Sequence, residues 1–328
     1  MMTLEALRAT LPVYPIELHK PDIRRWKTGT HGIDYVHTSD SGVPGPHVMI
    51  NALTHGNELC GAIAVDALLA AGVRPARGRL TLSFANVEAY ERFDINDPDA
   101  TRFIDEDLNR VWSADKLDGP GNSLELRRAR ELRPVIDTVD YLLDIHSMHE
   151  KAEPLMLTGP HAKGVALGRL VGAPSHLMID AGHAAGRRLR DYGGFGDAAS
   201  PKNALLIECG QHFERVSRDV ALDACARFLV ALGTVDASAV SEWLGMAPAL
   251  EVRCIRVTDP VVAKSTAFRF ADDYRGMETI ARAGTVIATD GALQIVTPYD
   301  NCVLLQPSLR HLAPGVTVVR LGRLEGPA

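Results

Sequence analysis

The chain has 328 residues, is 46% hydrophobic and 23% charged, and carries a formal net charge of −6. That composition suits a globular protein with a real core. It gives no basic footprint for nucleic acid and no polybasic membrane patch, and no apolar run nears the roughly 20 residues of a membrane helix. The opening residues lack the basic and apolar regions of a signal peptide. The five cysteines (Cys60, Cys209, Cys225, Cys254, Cys302) are odd in number, scattered and free of any Cys-x-x-Cys pair. They read as reduced thiols of a cytoplasmic protein.

In chain order, "HVMINAL" predicts an apolar strand and "ELCGAIAVDALLAAG" a buried helix closing at Gly72. "RLTLSFANV" predicts a strand. "SLELRRARELRPVIDTVD" has helical periodicity with a charged face, and Pro134 is expected to kink or divide it. "YLLDIHSM", "HLMID" and "ALLIECG" are further strands, and "RDVALDACARFLVALG" is a helix closing at Gly233. Apolar strands alternating with helices predict an α/β fold: a mostly parallel sheet covered on both faces. After about residue 245 the segments become short, β-branched and alternating, and no helix is expected beyond Trp243. The expected division is a catalytic α/β domain at 1–244 and a β-rich domain at 245–328.

Open α/β sheets bind ligands at the carboxyl ends of their strands. Three polar clusters fall where strands end. His55 and Glu58 stand in "NALTHGNELCG", His146 in "LLDIHSMHE" and Glu208 in "ALLIECGQH". Two histidines and a carboxylate make a catalytic zinc set with a fourth position left for water. Each also has a plain structural reading. Glu58 would sit in the first turn of a helix capped by Asn57, and His146 could be a hydrogen-bonded core histidine. Glu208 is harder to explain away, because a carboxylate after "ALLI" is costly to bury without a cation or proton. It suits a general base for the water and a general acid for the leaving amine. "TRFIDEDLNRVW" reads as a charged loop or an anion site. In the latter, Arg110 holds a carboxylate with help from Asn109, and Arg102 faces a developing oxyanion.

Taken in order, "THGNE", "TRFIDEDLNR", "LDIHS" and "LLIECG" resemble the succinylglutamate desuccinylase/aspartoacylase family, of the zinc carboxypeptidase clan. The resemblance spans roughly residues 45 to 235 and continues loosely into the tail. It implies a zinc carboxypeptidase-like fold and one zinc ion per chain, held by His55, Glu58 and His146. It implies Glu208 as the base, Arg102 at the scissile carbonyl, and Asn109 with Arg110 on the substrate α-carboxylate. The implied activity is hydrolysis of the amide of a small N-acyl amino acid, with a tail that narrows the entrance. Members also hold a second carboxylate. His212, Arg215, His149 and Tyr299 are candidates for that role by chemistry alone, and "LDIHSMHE" departs from the family after the third ligand. A metallocarboxypeptidase, an esterase and a non-catalytic carboxylate-binding module are the alternatives, and a homo-oligomer is compatible with the sequence. The tail has no Met-Lys-Met, so no biotinyl carrier role is expected.

Overall fold

The computed structural model describes residues 10–183, 185–245 and 251–326. Its backbone is an eleven-stranded mixed sheet in the order β1-β3-β2-β4-β7-β5-β6-β8-β14-β13-β10. The first seven strands in the chain are β1 (Val36–Asp40), β2 (His47–Ala52), β3 (Arg79–Phe84), β4 (Tyr141–Met148), β5 (Leu155–Leu157), β6 (His176–Ile179) and β7 (Asn203–Gln211). The remaining four are β8 (Arg253–Val262), β10 (Thr279–Ile280), β13 (Cys302–Leu305) and β14 (Thr317–Leu324). The centre, β3-β2-β4-β7, is parallel, while β1 is antiparallel to β3 and β5 is antiparallel to β7. A separate antiparallel sheet holds β9 (Phe268–Phe270), β11 (Val286–Asp290) and β12 (Leu293–Val296).

Side chains alternate across a strand, so the central strands feed two cores. Val48, Ile50, Leu143, Ile145, Leu205 and Ile207 join one apolar cluster. That cluster includes residues of helices α1 (Leu59–Ala70), α5 (Ala162–Val171) and α6 (Arg215–Ala231). Met49, Leu142 and Ala204 join the other, with Leu126 and Leu132 of α4 (Leu124–Ile136). Short helices α2 (Val87–Glu91) and α3 (Ala114–Leu117) lie in the connections. Helices on both faces of a largely parallel sheet are what the apolar strands predict. Each fully buried Leu, Ile or Val contributes about 1.5–3 kcal/mol.

Some expectations change. Pro134 does not divide α4, which runs as one helix from its Ser123 cap to Ile136. Pro134 is the third-last residue of the helix, so its missing N–H falls in the last turn. Helix α5 escapes a periodicity reading because "AKGVALGRLV" carries two glycines, both needed where it packs. A Cβ on Gly164 would lie 1.9 Å from the Thr158 carbonyl oxygen. The tail is β-rich as expected, but it is hydrogen-bonded into the main sheet: β8 pairs in parallel with β6, and β14, β13 and β10 follow. The boundary expected at 244/245 adjoins residues 246–250, which lie outside the described residues. No helix of the described residues is long and apolar enough to cross a membrane.

Candidate metal centre and active site

Strand β2 ends at Ala52, and the chain then turns through Leu53, which adopts a left-handed φ of 59°. That conformation is costly for leucine. It is anchored by the Asn86 amide, which donates to the Leu53 carbonyl at 2.7 Å. The turn delivers His55, and α1 starts at Leu59 with Glu58 in the N-cap position. The Glu58 side chain does not cap the helix. It turns to the histidines instead, so the expected Asn57 cap is replaced by a buried Asn57 whose side-chain amide atoms have no hydrogen-bond partner among the described residues. Gly56 is needed for closeness: a Cβ there would lie 2.5 Å from the Ala89 carbonyl carbon and the Thr101 carbonyl oxygen.

His55, Glu58 and His146 are all buried, and one ligand atom from each lies within 4.8 Å of the others. His55 Nδ1 is 2.8 Å from Glu58 Oε1, and His146 Nδ1 is 3.0 Å from Glu58 Oε2. The opposite ring nitrogens are held by aspartates. His146 Nε2 lies 2.8 Å from Asp144 Oδ2 and His55 Nε2 lies 2.9 Å from Asp107 Oδ1. An ionised carboxylate only accepts, so each aspartate fixes the proton on Nε2 and leaves the Nδ1 lone pair facing Glu58. Lone pair then faces lone pair unless a cation or a proton lies between them. Among the described residues Glu58 Oε2 has no aligned hydrogen-bond donor despite its burial. This donor set fits a divalent metal ion of the zinc type.

The surrounding charges agree. Burial opposes charge on His146, but Asp144 and Glu58 outweigh it and raise its pKa well above the ordinary value. Burial likewise opposes ionisation of Glu58, yet His55 and His146 hold its carboxyl well below the usual range. Asp144 is completed by Asn51 Nδ2 at 2.8 Å and Thr54 Oγ1 at 2.9 Å, both donating to Oδ1. Residues 144 and 146 share one face of β4, so the second aspartate was legible as Asp-x-His. The sequence reading passed over it.

Glu208 stands directly beside His146 in the register of β4 and β7. Its Oε1 accepts from Gln306 Nε2 at 3.2 Å, while Oε2 is enclosed and has no hydrogen-bond partner among the described residues. Burial pushes its pKa up to about 7, with His146 pulling the other way.

Loop 101–110 brings the remaining predicted residues. Buried Glu125 of α4 holds the loop by accepting the amides of Ile104, Asp105 and Glu106 at 2.7, 3.1 and 3.2 Å. Asp107 ties it to the centre. Its Oδ1 accepts the Asn109 amide at 2.8 Å as well as His55, and its Oδ2 lies 3.3 Å from Arg102 Nη2. Burial opposes ionisation of Asp107, but His55 and Arg102 hold its carboxyl far below the usual range. Arg102 Nη2 also comes within 2.8 Å of His55 Nε2, and its Nη1 lies 3.7 Å from Glu58 Oε1. The ring nitrogen offers one in-plane position, which Asp107 takes when Nε2 is protonated. Asn109 Oδ1 accepts the Leu189 amide at 3.0 Å, which orients its side chain. Arg110 is partly buried, and burial lowers its pKa to about 10.

All seven predicted residues line one cavity of about 600 Å³. The tail closes part of it with Arg275, Gln306, Ser308, His311 and Arg320. Of the four candidates for a second carboxylate, only His149 is a wall of this cavity. His212 is buried behind it and bonded to Ser147 Oγ and to His149. Arg215 starts α6, where its amide donates to Glu17. Tyr299 contacts Thr258 and lies under the Arg323 guanidinium. The cavity cations that sequence reasoning missed, Arg188, Arg275 and Arg320, lie in segments without a motif. Another cavity, of about 770 Å³, includes His31, His47, Arg79 and Thr138. The described residues offer no second metal-ligand cluster.

The succinylglutamate desuccinylase/aspartoacylase catalytic domain matches residues 44–218, more than half of the chain. An aspartoacylase of Xenopus tropicalis is 31% identical over 115 residues. That match spans 32% of this chain and 34% of the relative, about a third of its length. Among solved structures, succinylglutamate desuccinylase from Vibrio cholerae is similar with a TM-score of 0.64 at 18% identity, covering 89% of this chain and 86% of that one. Murine aminoacylase 3 gives 0.59 at 20% identity, covering 86% and 96%. The product-bound ectoine utilization protein EutE (DoeB) from Ruegeria pomeroyi gives 0.61 at 16%, covering 88% of each chain. At such identities these structures speak for the fold. With the matched catalytic domain they lead to one conclusion: the chain belongs to the succinylglutamate desuccinylase/aspartoacylase family.

Proposed function

We propose that the protein is a zinc-dependent amidohydrolase that removes the acyl group from a small N-acyl amino acid. The observation that carries this reading is the meeting of the His55–Glu58–His146 cluster with the enclosed, unpartnered Oε2 of Glu208 in one cavity. Two imidazole Nδ1 atoms and a Glu58 oxygen would hold the ion. A bound zinc ion supplies Lewis-acid polarisation of a water and of the scissile carbonyl.

The chain's own residues do the rest. Glu208 Oε2 accepts a proton from the attacking water and later delivers it to the leaving amine nitrogen. Burial raises the pKa of Glu208 in the metal-free fold, a direction that suits a group that must both take and give a proton. Arg102 donates to the carbonyl oxygen as negative charge grows on it. Arg110 and the Asn109 amide grip the free carboxylate and so place the bond. The tail residues around the cavity restrict it to small substrates, which favours acyl amino acids over peptides. The five cysteines are free and buried, in keeping with a reducing, cytoplasmic setting.

The test is a panel of N-acyl amino acids and short peptides given to zinc-loaded protein, with release of free amine as the readout. Acyl amino acids are expected to be cut and peptides spared. Glu208→Gln is expected to lose activity while keeping its metal. Full activity in that variant removes Glu208 from its role, and failure to bind zinc removes the site.

A further inference from the structure

Gln306 reaches from the β-rich tail to the carboxylate assigned above as the base. It follows β13 directly and adopts a left-handed φ of 50°, a costly backbone conformation for a residue with a side chain. Its Nε2 donates to Glu208 Oε1 at 3.2 Å, and its Oε1 accepts from Arg320 Nη1 at 3.2 Å. Arg320 lies on β14, opposite Leu305 in the antiparallel register of β13 and β14, so the neighbouring strand supplies it.

The second contact decides the first. A guanidinium only donates, so Arg320 compels the amide oxygen to face it and the amide NH2 to face Glu208. Without Arg320 the amide could flip and present oxygen to a carboxylate. The two oxygens of Glu208 therefore differ: Oε1 is held by an N–H, and Oε2 is enclosed with no hydrogen-bond partner among the described residues.

We propose that Gln306 is a positioning residue for the reaction: with Arg320 fixing its amide, it holds Glu208 Oε1 so that Oε2 is the oxygen aimed at the reacting water. This rests on the deacylase reading for the role of Glu208. The loop after Gln306 is clamped to the body of the protein. Ser308 Oγ and Arg310 Nε donate to Glu150 Oε1 at 3.3 and 3.2 Å, and Arg310 Nη1 donates to Asp99 Oδ2 at 3.2 Å. These contacts oppose relaxation of the strained residue. The tail is thus part of the apparatus that orients the base, in addition to shaping the entrance.

Two variants test this. Gln306→Met keeps the length of the side chain and removes the donor. Gln306→Glu keeps the shape and the contact with Arg320 but faces Glu208 with an acceptor. For both, kcat is expected to fall about ten- to hundredfold with KM and metal content little changed, as for a misplaced catalytic group. A crystal structure of Gln306→Met is expected to show the Glu208 carboxylate rotated from its place beside His146. If Gln306→Glu retains wild-type kcat, Gln306 only braces the loop and the proposal falls. It falls equally if Glu208 keeps its orientation in the Gln306→Met crystal. Should the wild type cut no acyl amino acid, the deacylase reading fails, while the position of Glu208 in the Gln306→Met crystal still decides the orienting role.

Discussion

Asp144 Oδ2 accepts from Nε2 of His146 at 2.8 Å, two residues along the same face of β4. This contact fixes the tautomer that leaves Nδ1 free toward Glu58. Asp144→Asn keeps the shape but removes the ionised acceptor. Metal affinity, measured by competition with a chromophoric chelator, is expected to fall about 10- to 100-fold. An unchanged affinity refutes the orienting role.

Loading the site with a metal ion is expected to displace a proton. The pKa of His146 is raised well above the ordinary value, against the effect of burial, by Asp144 and Glu58. The metal-free protein therefore carries a proton there at neutral pH, and the ion must expel it. Titration calorimetry in buffers of different ionisation heat is expected to show proton release near pH 7, with affinity weakening as pH falls. Buffer-independent heats contradict this.

Glu208 makes the metal-free protein more sensitive to alkali. Its pKa of about 7 in the fold exceeds the ordinary 4.5. The stability it contributes is fully present below about pH 4.5 and is lost as pH rises through about 7. Glu208→Gln is expected to stabilise the chelator-treated protein by about 2 kcal/mol at pH 8, allowing for partial exposure, with the gain vanishing near pH 4.5. Thermal melts at both pH values check this, and an equal difference at the two would count against it.

Arg110 faces the cavity, and among the described residues its carboxylate partner is Asp107 Oδ2, 4.0 Å away. Arg110→Met is expected to cost about 1.5–3 kcal/mol of substrate binding, the worth of a hydrogen bond to a charged group. Steady-state kinetics should show this mainly in KM. A fall confined to kcat would place the substrate carboxylate elsewhere.

Gly56→Ala forces a Cβ within 2.5 Å of the backbone at Ala89 and Thr101. The segments carrying His55 and Arg102 must then separate, since the Gly56 amide donates to the Arg102 carbonyl at 2.9 Å. Lower melting temperature together with weaker metal binding is expected. A wild-type melt would mean that the two segments are free to part.

Local pattern was enough for much of this protein. Apolar runs ending in His55, His146 and Glu208 announced strands whose tips carry polar groups, because burial of such runs leaves only their ends for chemistry. The near-continuous apolar character of β2, β4 and β7, expected of strands covered on both faces, followed from the same residues. Pairing was not legible: that β7 lies beside β4, putting Glu208 next to His146, depends on hydrogen bonds between segments some 60 residues apart in sequence. Nor was the company the ligands keep. Asp107 looked like an ordinary charge, and only its approach to the His55 imidazole gives it a role, whereas Asp144 stands in an Asp-x-His that the strand period makes legible. The contribution of the tail was the least visible, since Gln306 and Arg320 belong to no motif. Sequence determined which residues could do chemistry, through residue type and local period. Tertiary structure decided which of them meet, because distance, burial and the fixed direction of each donor exist only once the sheet has closed.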